Sequence, residues 1–263
     1  MRLTRFTGAA LLVAAATLPA QAQAQDVWTW RKALPAGRTI EIKGVNGAVS
    51  ATAASGDQVE VIARKTARRS DPASVELKVV EYADGITICA LYPTPRNARH
   101  KNECQPGGKG IMNTNRNDTN VAFEVRVPRG VQFIGRTVNG SVRATGLSAR
   151  AQGNTVNGAV RISTTGLASA STVNGAINVR MGQANWRDEL KFGTVNGAVV
   201  LELPAGLSTE VEAGTVNGSI STDWPLTITG KWGPKRVHGT IGSGGRSLDV
   251  STVNGDIELR KAK

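Results

Sequence analysis

The sequence predicts an all-β protein built as a parallel β-solenoid, a stack of short coils. Three observations predict it. Val-Asn-Gly recurs with its Asn at Asn46, Asn139, Asn157, Asn174, Asn196, Asn217 and Asn254, with a degenerate copy at Val237-His238-Gly239. Apolar and polar residues alternate around each copy. The stretches on the two sides of each copy are unequal in length. An antiparallel β meander with Asn-Gly hairpin turns is the alternative.

Internal repetition is the dominant signal. From Asn139 onward, counting His238, the spacings are 18, 17, 22, 21, 21 and 16 residues. Only Asn46 stands apart, 93 residues upstream of Asn139. Two positions before the Asn stand Thr137, Thr155, Thr172, Thr194, Thr215 and Thr252, with Arg236 as the exception. Three positions after it stand Val142, Val160, Ile177, Val199, Ile220, Ile241 and Ile257. The next position is mostly polar, as at Arg143, Arg161 and Asn178. Alternation with β-branched residues on one side reads as a short strand. Gly146-Leu147, Gly166-Leu167 and Gly206-Leu207 mark a second turn. Each repeat is therefore two short strands and two turns.

Asn-Gly is also a strong hairpin signal, because both residues tolerate positive φ. A hairpin meander wants matched strands, however, and the two sides here differ. Stacking rewards identical residues in identical columns directly. Coils about 4.8 Å apart place Asn over Asn, and Asn ladders stabilise in-register stacks. Taken in chain order, the ladder runs Asn139, Asn157, Asn174, Asn196, Asn217, His238, Asn254, with His238 as an interruption. Whether the Asn side chains point inward stays open, since glycine at a corner breaks the inside–outside alternation.

Residues 38–43, 58–65, 75–82, 85–92 and 121–127 also read as strands. A polar loop spans 93–120 and carries Arg96, Arg99, His100, Lys101, Lys109 and Arg116 against Glu103 and Asp118. Loops of that length are functional or disordered. No linker precedes the regular repeats. The expected organisation is one solenoid domain over 25–263, with an irregular part at 25–130 and regular repeats at 131–263.

Residues 1–24 read as a secretory leader. Arg2 and Arg5 precede a short apolar run, and Ala20-Gln21-Ala22 and Ala22-Gln23-Ala24 fit the small-x-small cleavage rule. The run is too short to span a bilayer, so no transmembrane segment is expected once it is removed. Export to the periplasm, the cell surface or the medium of a bacterium follows. An oxidising compartment favours pairing Cys89 with Cys104.

The net charge is +12, or +10 without Arg2 and Arg5. Residues 26–150 carry +8 of it and residues 151–263 carry +2. Such a surplus attracts anionic partners or simply solvates the surface. Arg143 and Arg161 occupy one outward column on neighbouring coils, about 5 Å apart at the backbone. With Arg96, Arg99 and Lys101 they form the candidate anion-binding group.

The chemistry of common enzymes is absent. There is no Gly-x-Ser-x-Gly elbow, P-loop, His-Glu-x-x-His or Cys-x-x-Cys, and the histidines are His100 and His238 alone. Gly107-Gly108-Lys109-Gly110 reads as a flexible turn or a weak anion site. Polysaccharide cleavage on a β-helix needs clustered carboxylates. Asp188, Asp223, Asp249 and Asp256 fall in different columns. No catalytic residue, metal ligand or cofactor is expected.

The repeated Thr-Val-Asn-Gly behind a leader resembles a bacterial family of extracytoplasmic β-solenoid domains of unknown function labelled adhesins. The likeness runs from about Thr39 to the end. It implies an exported, non-enzymatic β-solenoid that meets an envelope or surface component. A binding module for anionic polysaccharide is the alternative, and a polysaccharide-cleaving enzyme is the third reading. Nucleic acid is not an expected partner.

Overall fold

The computed structural model describes residues 25–114, 116–187, 189–229 and 234–262. The leader expected at 1–24 and Asp188 lie outside the described residues. Described strands form two long sheets of ten and eleven strands, mostly parallel. The protein is a β-solenoid, and the meander is excluded. At each Val-Asn-Gly corner of the stack the chain passes from one sheet to the other instead of folding back on itself.

A regular coil shows why. Ala151–Asn154 lies in the eleven-stranded sheet, and Val160–Thr164 lies in the ten-stranded one. Thr155-Val156-Asn157-Gly158 turns the corner between them. The next coil repeats this with Ala168–Ser171 and Ile177–Met181, in register: Ala151 opposite Ala168 and Val160 opposite Ile177. Alternate residues of both sheets point into one core, including Val160, Ile177, Val199 and Ile257, all buried. Burying such side chains contributes roughly 1.5–3 kcal/mol each.

Strands are numbered here in chain order. β1 is Gln25–Ala33, β2 Thr39–Lys43, β3 Val49–Ala53, β4 Gln58–Thr66, β5 Glu76–Tyr82, β6 Gly85–Leu91, β7 Asn120–Val127, β8 Gln132–Arg136 and β9 Val142–Leu147. The isolated Asn46 copy is a regular coil: β2 pairs with β8 and β3 with β9, both parallel. β6 pairs parallel with β2, and β7 with β3. β6 and β7 therefore form one more coil, and the polar loop takes the place of its corner. Antiparallel strands close this end, β5 on β6 and β4 on β7, with β1 on β4.

The other end departs from chain order. The regular strands β10–β13 are the four just described. They are followed by β14 Leu190–Gly193, β15 Val199–Leu203, β16 Thr209–Asn217, β17 Ile220–Thr222, β18 Ile228–Thr229, β19 Lys235–Ile241, β20 Ser247–Asn254 and β21 Ile257–Lys261. β20 and β21 insert between the β14–β15 coil and the β16–β17 coil. β19 runs antiparallel on β16, so the His238 copy makes no corner. The expected ladder position of His238 is corrected: it stands opposite Glu212 on β16. β19 is taken up by antiparallel pairing with β16 and β18, so the chain stays extended through Val237-His238-Gly239.

Candidate functional site

The corner is built by four residues with four roles. Thr faces inward and donates its hydroxyl to the glycine carbonyl of the adjacent coil. Thr155 reaches Gly140 O at 2.8 Å, Thr172 reaches Gly158 O at 2.9 Å and Thr252 reaches Gly197 O at 2.9 Å. Gly is required by close approach: a Cβ on Gly175 would sit 2.1 Å from Gly158 O. Val and Asn face solvent. Val138, Val156, Val173, Val195, Val253 and Val216 are 37–42% exposed, a line of apolar side chains along the stack.

The Asn side chains lie outside and form one directional ladder. Asn139 Nδ2 donates to Asn46 Oδ1 at 2.9 Å, and Asn157 to Asn139 at 2.9 Å. Asn174 donates to Asn157, and Asn196 to Asn174, both at 2.8 Å. Asn254 then donates to Asn196 at 2.7 Å, and Asn217 to Asn254 at 2.8 Å. The order is thus Asn46, Asn139, Asn157, Asn174, Asn196, Asn254, Asn217. Asn46 is a member, although the sequence sets it 93 residues before Asn139. Beneath it lies Tyr92, whose hydroxyl donates to Thr119 O at 2.6 Å. Burial pushes the Tyr92 phenol up to about 12, against the opposing pull of hydrogen bonds with Asn46.

The polar loop is clamped onto the solenoid. Cys89 and Cys104 are bonded. Glu103 and Ile111 pair antiparallel, making a small hairpin with the glycine-rich turn at its tip. Glu41 on β2 lies beneath it, 1% exposed. Its carboxylate accepts from Arg136 Nε at 2.7 Å, Thr87 Oγ1 at 2.9 Å and the Gly107 amide at 2.8 Å. Lys43 Nζ donates to the Gln105 and Lys109 carbonyls, both at 2.6 Å. The glycine-rich turn does hold an anion, and that anion is the protein's own carboxylate.

Arg143 and Arg161 are direct neighbours on β9 and β11, both exposed. Neither has a hydrogen-bond or ion-pair partner among the described residues. Arg96, Arg99 and Lys101 are also exposed, but they stand on the loop rather than on that sheet face. No hydrogen bond among the described residues joins the two sets.

Carboxylates show a pattern the sequence concealed. Asp249 on β20 lies in register with Glu212 on one side and Lys191 on the other. Burial raises the Asp249 carboxyl above its ordinary value, Lys191 opposes this, and Glu189 and Glu212 add to it. Only the insertion of β20 beside β16 brings Asp249 and Glu212 together. No group of three or more His, Cys, Asp or Glu suited to a metal ion occurs among the described residues. No helix among them is long and apolar enough to cross a membrane.

A further charged cleft joins two segments distant in sequence. Arg68, Arg69 and Arg116 line it with Asn117, Asp118 and Asn120, around a volume of about 820 Å³. Arg116 and Asp118 belong to the polar loop, and the dipeptide Arg68-Arg69 lies about fifty residues upstream, so nothing local in the sequence joins them.

Residues 111–260 match the family model described as Toastrack DUF4097. No curated protein matches the chain. Three solved structures are similar in fold. One is described as a "putative cell adhesion protein" from Clostridium sporogenes, with a TM-score of 0.44 and 11% identity, covering 90% of this chain and 100% of the other. One is a "putative adhesin" from Bacteroides fragilis, with 0.33 and 13%, covering 89% and 97%. The third is a "putative adhesin" from Parabacteroides distasonis, with 0.32 and 11%, covering 89% and 97%.

Proposed function

From the premise that the chain belongs to the Toastrack DUF4097 family, we propose that it is an exported, non-enzymatic β-solenoid. It acts as an adhesive or structural contact protein of the bacterial envelope. One observation carries this reading: the exposed corner of six valines beside a self-bonded Asn ladder. Each interior Asn already spends its amide on its neighbours, so the row is held in place before any partner arrives. Preorganised surfaces lose little entropy on contact, and contiguous exposed apolar residues mark contact sites.

The test is adsorption of a washed envelope fraction to immobilised mature protein at two salt concentrations. A variant with Val156, Val173 and Val195 changed to Ser serves as the comparison. Salt-independent retention that the triple variant loses supports the proposal. Equal retention by the two proteins overturns it.

A second reading, binding of anionic polysaccharide, is favoured by Arg143 and Arg161, which have no ion-pair partner among the described residues. Retention on a polyanion falls steeply with salt because bound counterions are released. If Arg143→Ala with Arg161→Ala leaves heparin-column retention unchanged, that column is only a solvated face.

A further inference from the structure

The cleft at Arg68, Arg69 and Arg116 lies at the foot of the solenoid. It is bounded by the end of β4 and the return of the polar loop into β7. Two segments about fifty residues apart in sequence meet there, and hydrogen bonds lock them together. Asp118 accepts from the backbone N–H groups of Arg68, Arg69 and Ser70 at 3.3, 3.1 and 2.9 Å. The Asp118 amide donates in return to Ser70 Oγ at 3.1 Å. Asn117 Nδ2 donates to Ser74 Oγ at 3.0 Å. The clasp consumes the Asp118 carboxylate on backbone amides. It leaves the three guanidinium groups with no ion-pair partner among the described residues.

Arg116 adds an independent sign. It is the one described non-glycine residue with positive φ, at 60°. That conformation is uncommon for a side chain of this kind and persists where surrounding bonds over-determine it. The Asn117 amide donates to Thr114 O at 2.9 Å, and Thr119 N donates to Asn117 Oδ1 at 3.0 Å. These bonds hold the backbone around Arg116, which lines the cleft together with Arg68 and Arg69.

We propose that this cleft binds a tetrahedral oxyanion, a phosphate or sulfate group, with Arg68, Arg69 and Arg116 as its ligating side chains. Each guanidinium is a planar fork that matches two oxygens of such a group. Three forks around one concavity suit a group with three or four oxygens better than a carboxylate with two. The inference rests on the second reading above, an anionic partner, and names the site and the group recognised. The group is either free in solution or carried as an ester on a polysaccharide.

Two probes separate those sources: inorganic phosphate alone and a fluorescent heparin hexasaccharide, each titrated at constant ionic strength. The proteins are wild type, Arg68→Ala with Arg69→Ala, Arg116→Gly, and Arg143→Ala with Arg161→Ala. Glycine takes positive φ freely, so Arg116→Gly removes the fork and keeps the turn. Circular dichroism melts verify folding. Binding weaker by about tenfold or more in both cleft variants, with the sheet-face variant near wild type, supports the site. Phosphate binding by wild type then assigns a free anion; hexasaccharide binding alone assigns a polymer-borne ester. If both cleft variants bind like wild type, or wild type binds neither probe, the site is overturned. Loss confined to the Arg143 and Arg161 variant also overturns the cleft, and leaves the second reading standing on the sheet face.

Discussion

Asn254 Nδ2 donates to Asn196 Oδ1 at 2.7 Å across 58 residues of chain. Asn217, which lies between them in sequence, sits beyond Asn254 and donates to it at 2.8 Å. Chain order and stacking order therefore part at the last three corners. The bonds are equivalent to those between consecutive repeats.

The ladder predicts which Asn residues matter. Asn174 and Asn254 each make two side-chain amide bonds, so Ala at either should cost about 1–2 kcal/mol, discounted because the row is solvent-exposed. Asn46 ends the row with one ladder bond but is half-buried and also meets the Tyr92 phenol, so Asn46→Ala should cost a similar amount. His238 stands outside it, so His238→Asn should lie within about 0.5 kcal/mol of wild type. Urea unfolding of the four variants measures this. An Asn254→Ala variant as stable as wild type would remove Asn254 from the row, and clear stabilisation by His238→Asn would restore His238 to it.

The corner glycines should be nearly irreplaceable. A methyl group at Gly175 meets a backbone carbonyl at 2.1 Å, and that carbonyl accepts the Thr172 hydroxyl at 2.9 Å. Gly175→Ala should destabilise by about 3 kcal/mol or prevent folding. Gly56 has nothing within 4 Å of the same position and no positive φ. Gly56→Ala should be neutral or stabilising by roughly 0.4–1 kcal/mol. Thermal melts of the pair compare the two, and equal losses would contradict close stacking.

The disulfide should be quantitative in exported protein. A thiol assay on denatured, non-reduced material should find no free thiol. Cys89→Ser with Cys104→Ser opens a loop of sequence separation 15. Such a closure stabilises by roughly 3 kcal/mol in the chain-entropy model. Limited proteolysis should then cut first near the Gly107 turn. Cleavage elsewhere first would mean that the Glu41 and Lys43 contacts hold the hairpin without the bond.

Asp118 supplies a pH dependence with a definite sign. Hydrogen bonds from the Ser70 amide and hydroxyl, then from Arg69 and Arg68, hold its carboxyl below the ordinary value. A depressed folded value contributes stability above the unfolded pKa, which is lost as pH falls through the folded one. The stability gap between wild type and Asp118→Asn should therefore stay constant from neutral pH to the ordinary carboxylate range, near pH 4. It should close below that. Urea midpoints across acid pH follow the gap, and closure already above pH 5 would contradict the assignment.

Much of this molecule is legible in its residues. Alternation locates β2, β4, β5, β6 and β7 to within two residues at each end. The recurring columns identify the solenoid. The Thr-Val-Asn-Gly corner is legible as a unit, but its sidedness is not. Thr turns inward while Val and Asn both stay outward, so the alternation breaks at the Val–Asn step, where residue type alone marks no side. Stacking order is illegible for a simpler reason. Every corner from Asn139 onward presents the same amide, hydroxyl and carbonyl, so no local sequence tells Asn196 whether Asn217 or Asn254 stacks upon it. The path of the chain decides. After β17 it returns through the antiparallel β18 and β19, and β20 with β21 then fills the open place against β14 and β15. That same return sets Asp249 beside Glu212. At the opposite end, the Asp118 clasp brings Arg116 to Arg68 and Arg69. Repetition alone determined what each coil is made of; only the tertiary structure decided which coils touch and which charges meet, because identical interfaces carry no address.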